Sequence, residues 1–110
     1  MSIYHSFDIE IAEKIGLENA IVLEQIRMEI EYCKSSKQNF HNGKYWSCNT
    51  GTAVQNMFPY WNIEKICQTL KSLCDAGLIE GYRSFENDKF LYYHTLTEKG
   101  ISLIGGAVNE

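Results

Sequence analysis

The chain has 110 residues, 45% of them hydrophobic, and a single proline, which fits one domain around one core and excludes a disordered or collagen-like chain. Its formal net charge of −4 excludes a uniformly basic surface, but the charge is uneven. Residues 1–34 carry seven acids against three bases, whereas residues 35–61 hold Lys37 and Lys44 and no acid, so a binding face for an anion belongs outside the N-terminal part.

In chain order, "FDIEIAEKIG" after Ser6 reads as a short helix, with Ile9, Ile11, Ala12 and Ile15 apolar and Gly16 as its stop. A longer helix follows over about 18–34, with Leu23, Ile26, Ile30 and Cys33 as the inner stripe. Ile21, Val22, Met28 and Tyr32 widen its apolar surface beyond that stripe. A helix apolar on more than one side has more than one neighbour, so these four are the expected homodimer interface; cover by the C-terminal helix is the alternative.

"SSKQNFHNGK" reads as a polar loop with a turn at Asn42-Gly43, and "YWSC" as a short extended piece. Asn49 or Thr50 caps a third helix that stops before Pro59. The aromatics at 58, 60 and 61 lock the turn, and Asn62 caps a fourth helix over 62–76 with Ile63, Ile66, Leu70 and Leu73 inward. Gly77 stops it in a left-handed cap. Ile79–Phe85, the polar "ENDK" and Phe90–Leu96 then read as a hairpin, with one of Tyr92 and Tyr93 in the core. Thr97 caps a final helical turn or two, and the glycines with "AVNE" form a loose end.

Two helices joined by a tight turn and followed at once by a hairpin make a winged helix-turn-helix. The expected fold is therefore α+β and mostly helical, with a helix-turn-helix over about 50–76, a wing over about 78–96, extra N-terminal helices and a short C-terminal one. The expected unit is one such domain over residues 1–110.

Chemistry is thin along the chain. Cys33, Cys48, Cys67 and Cys74 form no CxxC pair and have no His at ligand spacing, so reduced thiols are expected rather than zinc or a disulfide framework, for which three connectivities exist. His5, His41 and His94 lack an acid or nucleophile at recognisable spacing, and "GTAVQN" lacks the lysine of a phosphate-cradling loop. Neither an enzyme nor a cofactor is expected. No run is long enough to span a bilayer and none near the start reads as a signal, so no membrane partner and a cytoplasmic location are expected.

The segments "YHSFDIEIAEKIG", "NFHNGKYWSCN", "MFPYWNIEKICQTLKSLCDAGLIEGY" and "YYHTLTEKG", spread over roughly residues 4 to 100, resemble the N-terminal winged-helix domain of phage and plasmid replication initiators, the replisome-organiser group. The resemblance implies a domain that binds double-stranded DNA at a replication origin, with the helix at 62–76 in the major groove and the turn at 85–89 as the wing. Members of that group carry Arg and Lys on the outer face of that helix, where this chain has Lys65, Lys71 and the thiols Cys67 and Cys74. These thiols are either small hydrophobes widening the core or a patch facing a protein partner.

The residues expected to touch DNA are Glu64, Lys65, Gln68, Thr69, Lys71 and Ser72 on the fourth helix and Asn62 at its cap. Gln suits adenine, and Lys suits guanine or phosphate. Arg83 and Lys89 would hold phosphates at the wing, against the opposing charges of Glu86 and Asp88. Asn49 and Thr50 would offer donors at the start of the third helix. The competing expectation is a phage-encoded protein-binding winged helix that inhibits a host nucleoprotein machine such as a CRISPR effector.

Overall fold

The computed structural model describes residues 4–108. Helix α1 (Ile9–Ile15) leads into the long α2 (Leu17–Ser36). A small hairpin, β1 (Phe40–His41) and β2 (Lys44–Tyr45), precedes β3 (Ser47–Thr50). Helices α3 (Gly51–Met57) and α4 (Ile63–Asp75) follow, then the hairpin β4 (Ile79–Glu86) and β5 (Lys89–Leu96), and finally α5 (Glu98–Val108). The three-stranded sheet is antiparallel in the order β3-β5-β4, with Ile79 opposite Leu96 and Glu86 opposite Lys89. This is a winged helix-turn-helix of the α+β class: α3 and α4 are the two helices, and β4 and β5 the wing.

The core joins Ile11 of α1, Leu23 and Ile26 of α2, Ile66 and Leu73 of α4, Leu78 just before β4, and Ile79 and Leu96 of the sheet. The end of α4 shows why these elements meet. Gly77 adopts φ +76°, its N–H donates to the Cys74 carbonyl, and the Leu78 N–H donates to the Leu73 carbonyl at 3.0 Å. That pattern is a Schellman cap, in which the residue past the glycine packs on the last inward residue of the helix. Leu78 and Leu73 are both buried, so the cap that stops α4 also pins β4 to the core. Gly100 sets the other junction: a Cβ there would lie 2.2 Å from the Leu78 carbonyl oxygen, so only glycine lets α5 cross this close.

Several elements differ from the sequence expectation. Helix α1 starts at Ile9 rather than at Phe7, because the Asp8 carboxylate caps it, accepting from the Ile11 N–H at 3.2 Å. The expected loop at 40–45 contains a hairpin, since Asn42 and Gly43 both take positive φ as a two-residue turn requires. The α4 stripe is rotated: Thr69 is buried at 5% exposure and satisfied by donating to the Lys65 carbonyl, while Ile63 is 45% exposed. Helix α5 runs to Val108 rather than ending after a turn or two, and takes in the glycines, Ala107 and Val108. Asn109 and Glu110 lie outside the described residues. Tyr92 and Tyr93 are both half-buried: Tyr93 stacks on Tyr82 at 4.8 Å, whereas Tyr92 lies beside Gly51.

Candidate nucleic-acid interface

Contacts at both ends fix the orientation of α4. Asn62 caps it, its side chain accepting from the Lys65 N–H at 2.8 Å. The turn before it is stitched by Gln55, whose amide donates to the Trp61 carbonyl at 2.9 Å, and by stacking of Phe58 on Trp61 at 5.4 Å. Tyr60 joins the same turn to the N-terminal segment through His5 Nδ1, 2.6 Å away. The Schellman cap closes the other end.

The face of α4 turned away from the core carries Glu64, Gln68, Lys71 and Ser72, all exposed, with Asn62 exposed at the cap and Lys65 half-buried. Spacing of three and four residues puts Glu64, Gln68 and Lys71 side by side. Thr69 is not on that face; it is a core residue, so its expected role in contact is corrected.

Both cations of α4 already have acidic neighbours. Lys65 Nζ lies 3.4 Å from a Glu18 carboxylate oxygen, and Lys71 Nζ lies 2.9 Å from Asp75. The Glu18 carboxyl is held below its ordinary range by its backbone hydrogen bond and then by Lys65. The Lys71 ammonium is raised by its hydrogen bond to Asp75. Glu64, Lys65, Lys71 and Asp75 leave the helix without net charge. The Lys71–Asp75 pair is legible as an i,i+4 spacing, whereas Glu18 is 47 positions from Lys65 and only the packing of α2 on α4 brings it near.

Ser72 accepts at 3.2 Å from the side chain of Asn19, a residue that sequence reasoning missed for the same reason. Asn49 is also engaged within the fold: its amide donates at 3.0 Å to Glu29, a carboxyl raised by burial despite this bond and one from Gln25. Thr50 uses its hydroxyl to cap α3, accepting from the Ala53 N–H at 3.1 Å. The Asn49 amide nitrogen is thus engaged by α2 and the Thr50 hydroxyl oxygen by the first turn of α3.

On the wing, Arg83 and Lys89 are exposed, and the Arg83 guanidinium sits 4.4 Å over the ring of Phe90. Phe90 meets Phe85 edge-on at 4.9 Å, so the tip presents an aromatic pair beside its cations. Glu86 accepts from the Tyr93 hydroxyl at 3.1 Å, which draws this carboxylate back toward the sheet.

The expected dimer surface divides. Val22 is 1% exposed and Ile21 packs against the core, because α2 is the central helix with neighbours on several sides. Only Met28 and Tyr32 of the four are exposed. Helix α5 packs on α1 and β5, and an open groove of about 860 Å³ separates it from Glu24, Arg27 and Ile30 of α2. The first reading of Cys67 and Cys74 as core-widening hydrophobes is likewise corrected, since both are exposed and only Cys33 is buried. Among the described residues no helix is long and apolar enough to cross a membrane.

No family model and no curated protein matches this chain. A solved structure, TubR bound to 24 base pairs of tubC from Bacillus thuringiensis serovar israelensis pBtoxis, is similar at 22% identity and a TM-score of 0.45, covering 96% of this chain and 98% of that one. So loose a superposition carries no functional weight, and the fold assignment rests on the element order and strand register given above.

Proposed function

We propose that the chain is a DNA-binding winged helix of phage or plasmid origin that serves replication initiation. One observation carries this reading: α4 is fixed at both ends and turns a solvent-facing row of Glu64, Gln68 and Lys71 outward, with Arg83 and Lys89 on a projecting hairpin. In the major groove Gln68 would pair with adenine, and Lys71, one turn on, would reach guanine or phosphate. Arg83 and Lys89 would hold the adjacent backbone. The resemblance to replication initiators supports the biological role.

The ion pairs set how such binding works. Each phosphate that engages Lys65 or Lys71 must compete with Glu18 or Asp75, so part of the electrostatic gain is spent inside the protein. Affinity would then lean on base contacts, with a shallow salt dependence. Selection of bound sequences from random duplexes, at low and near-physiological salt, tests this. A recovered consensus supports the reading, and absence of any duplex binding at low salt overturns it.

The same neutralised helix favours one second reading, a protein-binding winged helix that inhibits a host nucleoprotein machine such as a CRISPR effector. A helix face without net charge and with two exposed thiols attracts a polyanion less than a basic one would and suits a protein partner. Loss of effector activity on titration with this chain, in the absence of duplex binding, would support it.

A further inference from the structure

Helix α4 has an apolar flank between the core and the outward polar face, which Leu70 shares with the core and the other residues leave open. Its α2 side is tied by Lys65 to Glu18 and by Asn19 to Ser72. On the opposite flank lie Ile63, Cys67, Leu70 and Cys74, which fall within about 60° of arc at 100° per residue. Ile63, Cys67 and Cys74 are exposed and Leu70 is half-buried, so this edge is apolar and open to solvent.

The spacing along that edge is symmetric about the point midway between residues 68 and 69. Ile63 and Cys74 are equidistant from it, and so are Cys67 and Leu70. An antiparallel pairing of two such edges about a two-fold axis therefore sets Ile63 against Cys74 of the second copy and Cys67 against Leu70, a large residue against a small one at each contact. The charges agree with the same register. Glu64 and Lys71 lie on one side of the edge, and the pairing brings Glu64 of each copy to within about 3 Å, along the axis, of Lys71 of the other. An isologous contact needs a patch that complements itself in this way.

We infer that the Ile63–Cys67–Leu70–Cys74 edge of α4 docks on the same edge of a second copy, antiparallel, to form a two-fold dimer. The occupant is a second copy because apolar spacing and charge are complementary to themselves. The pairing leaves Gln68 uncovered but engages Glu64 and Lys71 of the outward row, so the dimer is tested without DNA and its failure is distinguishable from failure of the DNA reading. The small edge makes the dimer weak, so it forms at micromolar to about 100 µM chain.

Light scattering and thiol crosslinking of the intact, reduced chain test the dimer and its register together. In the stated register the two Cys67 residues are offset by about 4.5 Å along the axis, and the two Cys74 residues by about 16 Å. A short bis-maleimide spanning about 8 Å, each end adding one thiolate, should link Cys67 to Cys67 across the axis, at helix separations of that order. Crosslinking should persist in Cys74→Ser and vanish in Cys67→Ser. Cys67→Glu should raise the dimer dissociation constant at least about tenfold by placing like charges in the seam, with its far-UV spectrum unchanged. Met28→Glu with Tyr32→Glu should leave the dimer intact. A chain monomeric at about 100 µM, a crosslink that survives Cys67→Ser, or a dimer abolished by the Met28 and Tyr32 changes would each overturn the inference. If Cys67→Glu fails to fold, the two serine variants alone decide the register.

Discussion

Lys65 Nζ sits 3.4 Å from the carboxylate of Glu18, linking the first turn of α4 to the first turn of α2. The relationship makes a cation of the outward helix answer to an acid 47 positions earlier. If that helix binds DNA, Glu18→Gln should strengthen binding and steepen its salt dependence, because Lys65 then has no carboxylate competing with phosphate. Asp75→Asn should do the same for Lys71. Lys65→Ala with Lys71→Ala should flatten the slope by about one unit for each phosphate that either lysine neutralises. Titrations of a selected duplex over a salt series read all three; identical slopes throughout would remove α4 from the interface.

Gln68 and Thr69 are adjacent in sequence and opposite in environment, one exposed and one buried. Gln68→Ala should relax sequence preference at one position by roughly 1–3 kcal/mol without lowering stability. Thr69→Ala should cost about 1 kcal/mol of stability, losing a buried hydroxyl and a methyl, and leave the preference alone. Urea denaturation alongside binding selection separates the two effects. The reverse pattern would mean that the helix is rotated relative to the face described.

Gly77 and Gly100 should be unequal in their tolerance of a side chain. Gly77→Ala forces a Cβ into a left-handed conformation, at about 1–2 kcal/mol, with nothing in close contact beyond the Lys99 stem at 3.8 Å. Gly100→Ala drives its Cβ to 2.2 Å from the Leu78 carbonyl oxygen and must move backbone, at about 1–3 kcal/mol or more. Urea midpoints should rank wild type above Gly77→Ala above Gly100→Ala, and Gly77→Asn should recover part of the first loss.

Burial lowers the proton affinity of His94, whose ring lies against Gly81. The unfolded chain then binds this proton more tightly than the folded one, so stability is fully present above the ordinary value of 6.5 and is lost as pH falls through it. The imidazole resonances of His94 should titrate below 6.5, and melting temperature should decline below that pH. An unshifted His94 titration would refute the burial account.

The elements visible in the sequence were those set by local chemistry. Asn62, Gly77 and the Asn42-Gly43 turn each act through the backbone within a few residues, so their caps and turns could be read directly. The order of elements then sufficed to give the winged helix. Less visible was anything decided by what packs on what. Thr69 reads as surface until the rotation of α4 against α2 is known, and Val22 reads as spare apolar surface until α2 is seen to be central. Glu18 and Asn19 could not be linked to Lys65 and Ser72 by spacing. The Lys71–Asp75 spacing was legible, and its meaning emerged only once Lys65 was found paired as well.

The junction at residues 76–78 has a mechanical side. The Ala76 carbonyl accepts from Lys99 Nζ at 2.8 Å, the Gly77 carbonyl from the Thr97 hydroxyl at 2.6 Å, and the Leu78 carbonyl from the Thr97 N–H at 3.1 Å. Three successive carbonyls at the foot of α4 are thus gripped by Thr97, just before α5, and by Lys99 in its first turn. The seating of α4 on the core therefore depends on the segment at 97–99 as well as on its own cap, so a change that frees Thr97 loosens both the end of α4 and the start of α5.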